Sequence, residues 1–283
     1  MKYTNALILG NNVSGTLVAV LEMLTKAASP DLRIAAIWYF VAALFVLIIC
    51  FFTYLLLPSF RFYRHYHDEG NRCRELEKAS ANSSSSKGFF AMLRPYWQVF
   101  KEAWLMLFNV FFIYFVSLCI FPAMQSEVKR VDPGFVVPEE WFRDVTCFLC
   151  FLCPVFAMLG SLLANRVQVP GPRFLWIPVL LRGLMIPYSM FCNYRPTFRT
   201  WPVLISNDWA YIIMAVLLAA SCGYLSSLAM MYTPRMVSAE KSRLAGMMAS
   251  FCLILGIAAG VNGTLLVAWI NENLGPLHPR SQP

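Results

Sequence analysis

Charge is scarce in this chain. Asp, Glu, Lys and Arg make up 13% of its 283 residues, while 59% are hydrophobic; a soluble domain carries roughly 25% charge. The length alone would allow two soluble domains, but long uncharged runs exclude them and leave an all-α, polytopic membrane helical bundle. Histidine is scarcer still. His65, His67 and His278 are the three present, and all lie in loops between or after the apolar runs. An intramembrane zinc hydrolase needs histidines and carboxylates inside its spans to bind metal and activate water, so the enzyme class falls away and no cofactor or metal is implied. No Asp-Arg-Tyr follows a third span and no Asn-Pro-x-x-Tyr stands near the end, which argues against a seven-helix receptor. A phosphate-binding glycine loop is also missing.

Nine cysteines form no disulfide framework, because the count is odd and most fall in apolar runs. Cys147, Cys150 and Cys153 spell C-x-x-C-x-x-C, but no fourth cysteine follows at ferredoxin spacing, and they read as packing residues. The start of the chain has no clean signal-peptide cleavage site. The net charge of +8 is a matter of loop distribution and not a nucleic-acid signal.

Seven apolar runs stand out, at residues 5–26, 33–57, 103–124, 145–164, 174–192, 209–231 and 244–270, each near the twenty residues a helix needs to cross the hydrocarbon core. The first is weakest, broken by Asn11, Asn12 and Ser14, with Glu22 and Lys26 spaced to pair near its end. Residues 59–101 form one long basic linker whose centre, Ala79–Lys87, holds four consecutive serines and reads as disordered. Lysine and arginine bias sets orientation. The loops at 59–101, 165–173 and 232–243 hold eight, two and three basic residues, thirteen in all, against seven in the opposite loops and tail. The N-terminus is therefore expected in the cytosol and the C-terminus outside, with the Asn82-Ser83-Ser84 sequon cytosolic and unglycosylated.

One charge stands almost at the centre of an apolar run. Arg182 lies in Phe174–Cys192, flanked by Pro178 and Pro187. A guanidinium at mid-bilayer costs at least about 2.5–3.5 kcal/mol on insertion scales, so such residues usually face a bundle interior or a watery cavity; a snorkelling or purely structural arginine is the alternative. Asn109 in the third run also needs a partner away from lipid, either in a cavity or on a neighbouring helix, with Phe112 and Val116 continuing its face. Gly256-x-x-x-Gly260 and the small residues Ser221-Cys222-Gly223 allow close helix approach. A facilitative carrier needs only a polar lining, helix-breaking residues and helices that can rock, and this chain offers all three. Organic cations or monoamines would call for an intramembrane carboxylate, and Glu22 near a span end is the one candidate.

Several stretches together resemble the equilibrative nucleoside transporter family: YTNALILGNNVSG at Tyr3–Gly15, LPSFRFYRHY at Leu57–Tyr66, FVSLCIFPAMQSEV at Phe115–Val128, Pro172–Pro196, and Ser221–Phe251. The similarity runs over nearly the whole chain. It implies seven transmembrane helices matching spans 5–11 of an eleven-span, major-facilitator-like transporter, with no counterparts of the first four spans. Residues 1–58 would be the last two helices of the N-terminal bundle, 59–101 the cytosolic linker, 102–270 the C-terminal five-helix bundle and 271–283 an extracellular tail. The resemblance further implies sodium-independent, facilitative transport of nucleosides, in some members nucleobases, by alternating access, in a multi-pass protein of the plasma membrane. Partners would be the nucleoside and the lipid bilayer, with no nucleic acid. A truncated, transport-inactive or regulatory form associating with full-length transporters, or with the missing N-terminal helices, is the alternative.

Well-known members carry a substrate-contacting Asp and Arg in an Asp-x-x-Gly-Arg pattern in the eighth span. Here Ala157-Met158-Leu159-Gly160-Ser161 stands in that place, and Pro154 occupies a position where relatives often have Asn. Losing both charges together leaves no lone buried ion, but only a hydroxyl at Ser161. The expected substrate-binding set is therefore Arg182, Ser161, Ala157, Asn109 and, by match to the family's last span, Ile257.

Overall fold

The computed structural model describes residues 10, 13–18, 20–21, 24–25, 28, 31–82, 89–121, 123–134, 155–238 and 241–276. Among these residues the chain is helical, and β-structure is limited to one isolated bridge between Val128 and Tyr194. Four helices are long and apolar enough to cross a membrane. The chain divides into two compact units, Leu21–Trp97 and Met1–Val20 with Gln98–Pro283.

In the smaller unit, α1 (Leu32–Leu56) starts where Asp31 turns the backbone into helix, with Ala35 N–H donating to the Asp31 carbonyl at 2.9 Å. Beyond Arg33 in its first turn it is apolar on every side, and its 25 residues rise about 38 Å, enough for the hydrocarbon core. Pro58 ends it in a 3-10 turn, Leu57–Ser59, after which Phe60 is extended (φ −76°, ψ 126°). Helix α2 (Arg61–Asn82) follows. The segment expected as a linker loop is thus largely helical, because Arg61–Asn82 holds no proline and one glycine, Gly70. Residues 83–88 lie outside the described set.

Helix α3 (Phe89–Ile120) begins well before the run expected at 103, carrying Pro95 inside it. It is followed by the short α4 (Ala123–Ser126), then α5 (Val155–Arg166), α6 (Trp176–Arg182), α7 (Met185–Phe191), α8 (Asp208–Tyr232) and α9 (Ser242–Asn273). The expected span at 174–192 is not one rod. It breaks at Gly183 and Leu184, between the two prolines and not at either, since Pro178 and Pro187 each sit in a first helical turn, where a missing N–H costs nothing. Half of the expected span at 5–26 is described and is helical, while its Asn11, Asn12, Glu22 and Lys26 lie outside the described residues, as do residues 145–154 and the three-cysteine run.

The core of the larger unit is organised on α3, whose Met106, Val110, Ile113, Val116 and Ile120 are fully buried at helical spacing. Backbones meet at glycines. A Cβ on Gly256 or Gly260 of α9 would fall 2.5 or 2.6 Å from the Phe111 or Phe115 carbonyl oxygen, so α3 and α9 cross with no side chain between them. Thr264 reinforces the crossing by donating to the Cys119 carbonyl at 2.9 Å.

Both ends of this unit are tied. At one end Arg195 forms ion pairs with Glu127 and Glu272, the Thr200 hydroxyl and N–H both donate to the Asn271 carbonyl (2.8 and 2.9 Å), and Asp208 accepts from the Val131 and Asp132 N–H groups. Burial alone would lower the Arg195 pKa, but the Glu127 hydrogen bond and the charge beside it raise it overall, so the guanidinium stays charged. Tyr194, buried next to this cluster and facing Glu127, is pushed up to about 12. At the other end the Tyr232 hydroxyl donates to the Gln168 carbonyl at 3.0 Å, Tyr224 to Val167 at 3.1 Å, and Arg235 to the Gln168 side chain at 3.2 Å.

Candidate functional site

Arg182 sits in the last turn of α6, 3% exposed. Its place explains part of how a mid-span cation is accommodated: the free carbonyls of a helix C-terminus favour a positive charge by about 0.3–1 kcal/mol. Its Nη2 donates to the Ser117 hydroxyl of α3 at 2.7 Å; the single Ser117 proton has the Ile113 carbonyl at 2.7 Å as its nearer acceptor, and the Cys222 sulfur of α8 lies 3.2 Å from the same oxygen. Cys222 and Tyr114 are the polar groups in electrostatic reach of the guanidinium. Its Nε and Nη1 have no hydrogen-bond partner among the described residues. Three helices thus converge on one cation, with no carboxylate bonded to it among the described residues. The Phe112 ring closes against the break, since a Cβ on Gly183 would meet it at 3.2 Å.

Ser161 is buried on α5 and donates to the Gly223 carbonyl of α8 at 3.2 Å, the residue next to Cys222. Ala157 is half-buried and its carbonyl lies against Gly223. The sequence-matched pair therefore meets α8 one residue away from the Arg182 node. Asn109, two turns before Ser117 on α3, is fully buried, and both side-chain atoms are without a partner among the described residues. Ile257 is half-buried on α9, next to the Gly256 crossing; no described contact joins it to Arg182.

Two participants escaped sequence reasoning. Ser117 lies eight residues after Asn109, so the 109–113–117 spacing already placed it on one face, and Cys222 stood in the small-residue cluster read as packing. Gln125 and Asn271, also buried with amides that have no partner among the described residues, carry no sequence signal of burial. Among the described residues no group of His, Cys, Asp or Glu could hold a metal ion.

A family profile described as nucleoside transporter matches residues 1–270. This chain belongs to the nucleoside transporter family. It is 31% identical over 275 residues to equilibrative nucleoside transporter 3 of Rattus norvegicus, covering 92% of this chain and 57% of that protein. It is 30% identical to equilibrative nucleoside transporter 1 of Homo sapiens, with 91% and 60% covered, and 26% identical to a protein named equilibrative nucleotide transporter 1 of Arabidopsis thaliana, with 95% and 56% covered. The chain spans about three-fifths of the length of these relatives. As a nucleoside transporter family member with several helices able to span a bilayer, it is a multi-pass membrane protein, and the relatives it matches are named as transporters, not enzymes.

Proposed function

We propose that this chain is the carrier-forming part of a facilitative, sodium-independent nucleoside transporter that works by alternating access, with Arg182 on the substrate path. The observation that supports the reading most directly is the Arg182 guanidinium, buried and bonded to Ser117 with two nitrogens unpartnered among the described residues. Buried donors of this kind call for an acceptor, and a nucleoside offers ribose hydroxyls and base carbonyls. Asn109, Ser161, Ala157 and Ile257 complete the proposed lining. Residues 1–58 supply two helices of the N-terminal bundle, 59–101 the cytosolic connection, 102–270 the C-terminal bundle and 271–283 an extracellular tail, in a plasma-membrane protein with its N-terminus in the cytosol. Vesicles reconstituted with this chain alone should show saturable uridine uptake that unlabelled adenosine suppresses, and Arg182→Ala should lower it severalfold at equal protein. Unchanged flux in that variant would remove Arg182 from the path.

A second reading is favoured by the length comparison, since relatives are little more than half covered: a transport-inactive form that associates with complete transporters. Vesicles holding only this chain that show no uptake, together with co-purification of a co-expressed full-length relative, would support it.

A further inference from the structure

The change of character at Phe60 is abrupt. Before it, α1 beyond Arg33 is apolar on all faces with most of its side chains exposed; after it, α2 is two-faced. Phe62 and Tyr66 stand one turn apart with their rings 4.8 Å apart and are 70% and 54% exposed, and Phe60 at the break is 62% exposed. On the helical projection, Arg61, His65 and Arg72 fall on the neighbouring stripe, where Asp68 also lies; Glu69 falls beside Phe62, and Arg64 and Asn71 fall opposite it. No acidic residue occurs between Asp31 and Asp68. The Arg64 Nη2 reaches back to the Pro58 carbonyl at 3.3 Å, which holds its guanidinium at the level where the apolar helix ends. An apolar helix that fills a bilayer delivers its last turn to the headgroup layer, and exposed aromatics beside basic side chains suit that layer.

We propose that α2 is an interfacial helix lying on the bilayer, with Phe60, Phe62 and Tyr66 seated at the acyl-chain boundary and Arg61 and Arg64 on the phosphates of anionic phospholipids. The extended residue at Phe60 gives the chain its turn out of the α1 axis. The occupant is the surface of the same bilayer that holds α1: aromatic rings enter the acyl boundary, and guanidinium groups match phosphate geometry two-pronged. The assignment depends on α1 being a membrane span, and on the proposed orientation only in naming the cytoplasmic leaflet, where anionic lipid is concentrated. It does not depend on transport, so failure of uptake leaves it standing.

Spin labels at Phe62→Cys and Asn71→Cys, in the full chain with its native cysteines replaced by serine, test the seating in bilayers of phosphatidylcholine with about 30% phosphatidylserine. The label at 62 should collide with oxygen dissolved in the lipid and be shielded from an aqueous nickel chelate, and the label at 71 should do the reverse. Tyr66→Cys should repeat the result if the change at 62 disturbs seating. In native mass spectra, wild type should retain phosphatidylserine in preference to phosphatidylcholine, and Arg61→Glu with Arg64→Glu should reduce that preference by about tenfold or more. Equal aqueous access at 62 and 71 would overturn the interfacial placement. A wild-type protein that binds the two lipids alike would overturn the anionic-lipid assignment.

Discussion

Gly223 of α8 lies so close to α5 that a Cβ built on it would fall 1.9 Å from the Ala157 carbonyl oxygen. The contact is reciprocal, since a Cβ on Gly160 would fall 2.2 Å from the Ala220 carbonyl oxygen. Neither obstacle is a side chain that can swing away, so the helices must separate to admit even a methyl group. Gly223→Ala is expected to destabilise the bundle by about 1–3 kcal/mol, the usual cost of overpacking, read as a lower midpoint of thermal unfolding in detergent. Gly246→Ala, on α9 with nothing within 4 Å, should hold or raise the midpoint through better helix propensity. Equal effects of the two substitutions would contradict the crossing.

Ser117→Ala removes the hydroxyl that accepts from Arg182 Nη2 at 2.7 Å. Stripping a buried charged donor of its partner costs about 1.5–3 kcal/mol, and the same change cuts the Ser117–Cys222 contact. Thermal stability should therefore fall, with Ser117→Thr restoring much of it because the hydroxyl is kept. A Thr variant no better than Ala would show that the hydroxyl is not what holds the arginine.

Arg195 has φ of 46°, a left-handed conformation that costs a residue with a Cβ about 1–2 kcal/mol. Arg195→Ala loses both ion pairs and keeps the strain, whereas Arg195→Gly loses the pairs and relieves it. The glycine variant should unfold at the higher temperature of the two, by about 1 kcal/mol in stability. The pairs are partly exposed, so each adds at most about 1 kcal/mol, and the alanine variant should remain folded.

Thr264→Val keeps the volume on α9 but removes the donor to the Cys119 carbonyl. A loss of about 1 kcal/mol is expected, while Asn262→Val, whose amide donates within its own helix to the Ala258 carbonyl at 2.8 Å, should change little. Chemical denaturation of the two variants side by side separates a bond between helices from one within a helix.

The long helices were legible because each is an apolar run near the length of a bilayer, and that signal survives any packing arrangement. The centre of the proposed site was legible too, since a lone arginine in Phe174–Cys192 is costly unless it is sheltered. What could not be read was the break at Gly183 and Leu184. The flanking prolines drew attention to themselves, yet both fit first helical turns, and the chain yields instead where Phe112 presses on a glycine. The partners of Arg182 were hidden for a related reason. Ser117 and Cys222 lie 105 residues apart, and only the crossing of α3 and α8 brings them together. Helix α2 is harder to read, because its charge content and the four serines just after it weigh against order, and only its two-faced pattern marks a helix.

The tie at one end of the larger unit joins Glu127, Arg195 and Thr200 to Asn271 and Glu272, at the far end of α9. During synthesis, then, the earlier helices wait with their end unfastened until α9 has entered the membrane. A chain halted before residue 271 would hold most of its apolar rods but lack the clasp that shuts them, and quality-control proteases would meet an open bundle.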